Sequence, residues 1–131
     1  MSQSSKHWWS ASLLVILGLA QSADAQVPTR DWTVVVRVSP RKPDGAAWDA
    51  FGGAPDIAFC TSSAAGDRCS MVQGTIARCQ DSFDCRGSVR VPATFSLTVW
   101  DLDVAANDLI GTCYIERPGT YPCGSAMVTV R

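Results

Sequence analysis

The stretch that decides the fold is FSLTVWDLDVAANDLIG, which covers residues 95–111. Phe95, Leu97 and Val99 alternate with small or hydroxylated residues, and this period of two is typical of a β-strand with one buried face. Aspartates follow the strand, and the chain then returns through a short Asp-rich loop to a second apolar run. The stretch therefore predicts a strand, an acidic loop and the start of a neighbouring strand.

The same alternation recurs on both sides of this stretch, broken about every ten residues by Gly, Pro, Asp or Ser. It places Trp32, Val34, Val36 and Val38 on one face, and likewise Ala126, Val128 and Val130. Weaker strands are predicted over residues 55–61, 68–77, 87–92 and 109–115. In Arg117-Pro118-Gly119, the Pro-Gly order predicts a type II turn that joins two late strands into a hairpin. Seven or eight short strands predict an all-β fold, an antiparallel β-sandwich.

Residues 1–25 have the pattern of a secretory signal peptide. Lys6 and His7 are followed by the apolar run 13–20 and by the cleavage motif Ala23-Asp24-Ala25. A membrane anchor is the alternative, but even when it is counted from Trp8 the apolar run reaches only about 13 residues, where roughly 20 are needed to span a bilayer. We therefore expect a secreted or periplasmic protein with one domain, residues 26–131, and no transmembrane segment after cleavage.

The composition of residues 26–131 excludes several classes of function. The only histidine lies in the signal, so serine and cysteine mechanisms with an imidazole base are not available, and neither are most catalytic zinc sites. Acidic and basic residues nearly balance, which argues against a nucleic-acid partner. All acidic residues except Glu116 are aspartates, which suit turns and hard cations.

The six cysteines all follow the signal, and an even number in an exported domain predicts disulfides. Zinc thiolates are the alternative, but no pair has C-x-x-C spacing. Six cysteines allow 15 connectivities. The simplest pairs neighbours, and each short loop would then stabilise the domain by about 2–3 kcal/mol. The cysteines concerned are Cys60, Cys69, Cys79, Cys85, Cys113 and Cys123.

Aspartates dominate the loop after Val99 and also the end of the long irregular stretch 39–54. If the strand geometry persists, Asp101 and Asp103 project to the same side, and Asp108 returns at the far end of the loop. Three converging carboxylates repel one another unless a cation such as Ca²⁺ compensates them. Ordinary turn capping is the alternative for these residues. Asp49 and Asp56 would complete a site of oxygen ligands only, which favours Ca²⁺ over zinc or copper.

The segment from Val99 to Gly111 resembles the third calcium-binding loop of a C2 domain, where a strand ends in aromatic-Asp-x-Asp and a last Asp precedes an apolar-apolar-Gly step. The segment from Asp49 to Asp56 is similar to the first calcium loop of that family. The resemblance implies an eight-stranded antiparallel sandwich with its calcium loops at one end. It implies as ligands Asp49, Asp56, Asp101, Asp103 and Asp108.

We therefore expect a non-enzymatic Ca²⁺-binding module whose partner is a lipid, a glycan or a protein. A calcium-independent structural or inhibitory domain, stapled by disulfides, is the alternative. A hydrolase with two aspartates as acid and base is a third hypothesis. Phe51, at the crest of the first loop, is expected to fold back onto its own loop.

Overall fold

The computed structural model describes residues 27–70 and 77–131, so the predicted signal peptide lies outside the described residues. Within these ranges the chain forms strands and no helix, and therefore no helix long and apolar enough to cross a membrane. The strands are β1 Thr29–Val38, β2 Ile57–Ser62, β3 Ala77–Cys79, β4 Asp84–Pro92, β5 Phe95–Asp101, β6 Asp108–Ile115, β7 Gly119–Cys123 and β8 Ala126–Val130.

Two four-stranded antiparallel sheets form a sandwich, which confirms the predicted fold class. One sheet has the order β4-β1-β8-β7, and the other has the order β3-β2-β5-β6. The core lies between them because each central strand turns one apolar row inward. The predicted inward residues of β1, β5 and β8 are all buried, namely Trp32, Val34, Val36, Val38, Phe95, Leu97, Val99, Ala126, Val128 and Val130.

The outer face of β5 is buried as well, which alternation alone does not predict. Ser96 and Thr98 have no exposed surface, because residues 63–70 lie over them. The Ser96 hydroxyl donates to the Ala64 carbonyl at 2.8 Å and accepts the Gly66 N–H at 2.9 Å. The buried hydroxyls are thus hydrogen-bonded, as burial of polar groups requires.

Three disulfides are present and join neighbouring cysteines. Cys60–Cys69 ties β2 to the segment that covers β5, whereas Cys79–Cys85 and Cys113–Cys123 each join one sheet to the other. Each of the two inter-sheet disulfides restricts the conformations of the unfolded chain. In the chain-entropy model, each therefore adds about 2–3 kcal/mol to the free energy of unfolding. Part of the stability of this small core therefore comes from covalent links.

Two local predictions are wrong. The turn at Pro118-Gly119 does not close a hairpin, because β6 pairs with β5 while β7 pairs with β8 in the other sheet. The chain crosses between layers there, and the late hairpin is β7–β8. The predicted strand 68–77 is wrong at residues 68–70, which are not in a strand and pass over β5. Ala77 does begin β3, and residues 71–76 lie outside the described residues.

A β-bulge in β6 sets the geometry of the acidic loop. Val99 pairs with Gly111, but the next pair is Trp100 with Leu109, so Ile110 is the extra residue. The Ile110 carbonyl leaves the ladder and accepts the Ser125 N–H at 3.0 Å. This one-residue shift places Asp108 directly opposite Asp101.

Candidate metal centre

Asp101 is the last residue of the inward row of β5, which explains why a carboxylate is buried here. Its side chain follows those of Leu97 and Val99 toward the edge of the core, and the residue is 2% exposed. Oδ1 accepts the Asp56 N–H at 2.9 Å. Oδ2 is buried and accepts no hydrogen bond from any described residue. A buried carboxylate oxygen without a donor has a large desolvation cost, and a cation relieves it.

Asp103 and Asp108 form a group of three carboxylates with Asp101. Asp101, Asp103 and Asp108 each bring one carboxylate oxygen within 4.8 Å of the others. Two ligands on opposite sides of Ca²⁺ are about 4.6–5.2 Å apart, twice the usual ligand distance, so the group can hold that ion. Burial raises the pKa of Asp101; the Asp56 amide opposes the shift, Asp103 and Asp108 add to it, and Lys42 opposes it.

The first loop supplies the two remaining predicted ligands. Asp49 and Asp56 line a cavity of about 240 Å³ together with Asp101 and Asp103. Trp48 anchors the loop, since its ring is buried in the core and its Nε1–H donates to the Ser39 carbonyl at 2.7 Å. The five aspartates singled out from the sequence therefore lie at one end of the sandwich, four of them around this cavity.

Lys42 is a member of the site that the sequence does not reveal. Among the scattered basic residues of the chain it has no distinguishing motif, yet its Nζ lies 2.8 Å from Asp108 Oδ2. The hydrogen bond to Asp108 raises the pKa of Lys42, and the ammonium also lies 5.6 Å from the centroid of the Trp48 ring. The protein thus carries its own counter-ion for one of the three clustered carboxylates.

Asp81 is the second residue missed from the sequence. It belongs to the loop between β3 and β4 that Cys79–Cys85 closes, and it lines the same cavity as Asp49 and Asp101. An aspartate between two paired cysteines was the only signal for it. Asp81 is far from the other aspartates of this cavity in the sequence, so their proximity in the structure could not be predicted from it.

The expectation for Phe51 is wrong. The residue does not fold back but is 98% exposed at the crest of its loop. The Gly52 N–H donates to the Asp49 carbonyl at 3.0 Å and closes a tight turn. Trp48, not Phe51, is the aromatic residue that the loop buries. Val104, on the third loop, is likewise fully exposed.

Replacement of Asp101 by asparagine is expected to raise the melting temperature in EDTA at neutral pH. The amide keeps an oxygen for the Asp56 N–H and removes a buried charge. Because the folded-state pKa of Asp101 is raised, its protonation stabilises the wild type below the ordinary pKa, and this stability is lost as the pH rises through the folded-state pKa.

The difference in melting temperature between variant and wild type should therefore shrink as the pH falls to about 4, the ordinary pKa of an aspartate. Thermal unfolding followed by circular dichroism measures it, and 1 kcal/mol corresponds to about 4–8 °C in a domain of this size. The exposed Asp67→Asn is the control. A variant less stable than the wild type in EDTA at neutral pH would contradict the electrostatic account.

No protein-family model and no curated protein matches the sequence. Solved structures are similar in fold. A C2 domain structure aligns over 78% of this chain and 93% of its own at 16% identity, with a TM-score of 0.50. A C2 domain protein from Ramazzottius varieornatus aligns over 79% of this chain and 89% of its own at 15% identity, with a TM-score of 0.43.

A third neighbour is human GIVD cytosolic phospholipase A2, in complex with a methyl gamma-linolenyl fluorophosphonate inhibitor and terbium chloride. It covers 79% of this chain and 17% of its own at 14% identity, with a TM-score of 0.41. The similarity to the first of these structures, the C2 domain with a TM-score of 0.50, is a similarity of fold. It agrees with the eight strands and two sheets described above. The chain has a C2-domain-like fold.

Proposed function

We propose that this protein is a non-enzymatic, exported module that binds Ca²⁺ and attaches, in its presence, to an anionic lipid surface. The observation that carries the proposal is the buried Oδ2 of Asp101, which accepts no hydrogen bond from the described residues and belongs to a carboxylate clustered with Asp103 and Asp108. The C2-domain-like fold supports a binding module.

Calcium is the cation that fits this donor set best. The ligands available at the cavity are carboxylates, and Ca²⁺ takes six to eight oxygens in irregular geometry, whereas Mg²⁺ demands a near-ideal octahedron. Asp101, Asp103 and Asp108 would hold the ion, with Asp49 and Asp56 on the facing loop. Bound calcium would neutralise the acidic end and bridge it to an anionic group. The three disulfides are consistent with an oxidising, extracellular environment, where calcium is plentiful.

A lipid surface is the partner that the loop tips favour over a glycan or a protein. Phe51 and Val104 are exposed on the two loops that flank the acidic residues. Between these loops runs a groove lined in part by Ala47, Ala50 and Ala105. An anionic headgroup would meet the cation while the apolar tips enter the interface, a combination that binds membranes through burial and charge together.

Calcium is expected to stabilise the oxidised protein in a saturable way. If the dissociation constant is about 0.1 mM, a titration to about 10 mM adds roughly 2.7 kcal/mol to the free energy of unfolding. Thermal unfolding in EDTA and across the calcium titration measures this, with magnesium as the control ion. The variant with Asp101→Asn and Asp103→Asn should show no shift.

Absence of any calcium-dependent shift in the wild type would favour the calcium-independent structural or inhibitory domain. The ion pair of Lys42 with Asp108 is the observation that speaks for this second function, because it already compensates one carboxylate without a metal. In that case the Asp loops are turns that hold no metal, and the disulfides serve to maintain the fold.

Lys42→Met is expected to lower the stability of the calcium-free protein and to raise its affinity for calcium. Without calcium the variant should be less stable, since Asp108 loses its partner and faces the carboxylate of Asp101. With calcium the affinity should rise several-fold, because the ion no longer competes with an ammonium for Asp108. Calorimetric calcium titration measures the affinity. Arg41→Met is the matched control, since its guanidinium donates to the Gly45 carbonyl and not to a carboxylate; equal effects of the two variants would contradict the competition.

Phe51→Ser should weaken attachment to phosphatidylserine vesicles in calcium by about tenfold or more, since burial of a phenylalanine is worth about 1.5–3 kcal/mol. Co-sedimentation in calcium and in EDTA measures it, with phosphatidylcholine vesicles for comparison. Met127→Ser, at an exposed apolar residue on β8, should bind as the wild type does. Calcium binding without vesicle attachment would redirect the search to glycan or protein partners.

A further inference from the structure

We propose that Asp81 is a further ligand of the cation, presented to the site by the loop that the Cys79–Cys85 disulfide closes. This inference rests on the proposed calcium binding and adds a third loop to the site. It concerns a residue that lies outside both acidic segments of the sequence, between β3 and β4.

The backbone of Asp81 is held in a conformation that few residues adopt. Its φ is 43°, in the left-handed region that Asp and Asn tolerate better than other non-glycine residues. The disulfide joins the last residue of β3 to the second residue of β4, so the intervening turn is short. Ser82 completes it, since its hydroxyl donates to the Asp84 carbonyl at 2.7 Å. The turn is therefore a built element that fixes Asp81 in place.

Three hydrogen bonds fasten this turn to the first loop. The Asp81 N–H donates to Asp56 Oδ1 at 2.7 Å, and the Ser82 N–H donates to the Pro55 carbonyl at 3.0 Å. In return, the Ala54 N–H donates to Asp81 Oδ1 at 3.0 Å. Because the Asp56 N–H in turn binds Asp101, the disulfide loop is connected through Asp56 to the centre of the site.

The carboxylate of Asp81 borders the same space as that of Asp49. A methyl group built on Gly53 would lie 3.2 Å from Asp81 Oδ1 and 3.0 Å from Asp49 Oδ2, so both oxygens flank this glycine. The cavity beyond it is lined by Asp49, Asp56, Asp81, Asp101 and Asp103, and no lysine or arginine is among its lining residues.

The buried carboxylate of Asp101 indicates that this arrangement serves a ligand and is not a solvated acidic surface. Asp101 lines the cavity, and its Oδ2 has no hydrogen-bond donor among the described residues. Five carboxylates around one small cavity exceed what the ion pair of Lys42 with Asp108 compensates, because neither member of that pair lines it. Asp81 thus adds a negative charge and ligand oxygens where a cation is needed.

The test is a calorimetric titration of the oxidised protein with calcium chloride alone, comparing Asp81→Asn with Asp84→Asn. Asparagine keeps an oxygen for the Ala54 N–H and tolerates the left-handed φ, so the turn should persist. Asp84 is the matched control because it belongs to the same turn region but pairs with Arg37 at 2.8 Å and does not line the cavity. We expect the dissociation constant to rise about tenfold or more for Asp81→Asn. For Asp84→Asn we expect less than about twofold, the screened effect of an exposed charge.

Equal weakening in both variants would show a general loss of negative charge, and no weakening in either would show that Asp81 does not contact the cation; each overturns the inference while leaving calcium binding intact. A wild type that binds no calcium would instead remove the proposed function itself. If Asp81→Asn fails to fold, Asp81→Gly carries the same expectation, because glycine adopts the same φ without strain.

Discussion

A hydrogen bond from the Asp56 amide to the buried Asp101 carboxylate joins the two loops on which the acidic site depends. The Leu102 N–H donates to the Asp56 carbonyl at 2.9 Å, so Asp56 exchanges two bonds with the end of β5. This pair continues the β2–β5 ladder by one step, with a side-chain oxygen in the place of a backbone carbonyl. The site is therefore an extension of a sheet, and its geometry follows from the register of the strands below it.

Electrostatics opposes that geometry in the absence of a cation. The row that buries Leu97 and Val99 also buries Asp101, and the bulge at Ile110 then places Asp108 opposite it. Like charges on directly opposed residues destabilise a sheet, and desolvation adds to the cost. Lys42 relieves Asp108 but leaves the Asp101 oxygen without a donor among the described residues. Stability lost at a binding site and regained with the ligand is a common trade-off in proteins.

The sequence was sufficient for the sandwich because the inward rows of β1 and β8, and that of β5 as far as Val99, are apolar. It was also sufficient to single out the acidic loops, since closely spaced aspartates just after a buried strand are typical of loops that bind hard cations. The Pro118-Gly119 sequence predicted that the chain turns here. It did not predict that β7 joins the other sheet, because that depends on the pairing of β7 with β8. Lys42 and Asp108 are 66 residues apart in the chain, and no local pattern reveals such a contact.

The two aromatic residues of the first loop show why the same segment can be both anchored and exposed. Trp48 fills the edge of the core, and backbone hydrogen bonds between Lys42, Gly45 and Ala46 order the turn before it. Phe51 follows three residues later on a turn closed by the Asp49 carbonyl, and it remains in solvent. Part of the conformational entropy of this loop is therefore lost on folding. A partner that engaged Phe51 as proposed would meet a loop that these contacts already order in part, so more of the free energy of apolar burial would be retained as affinity.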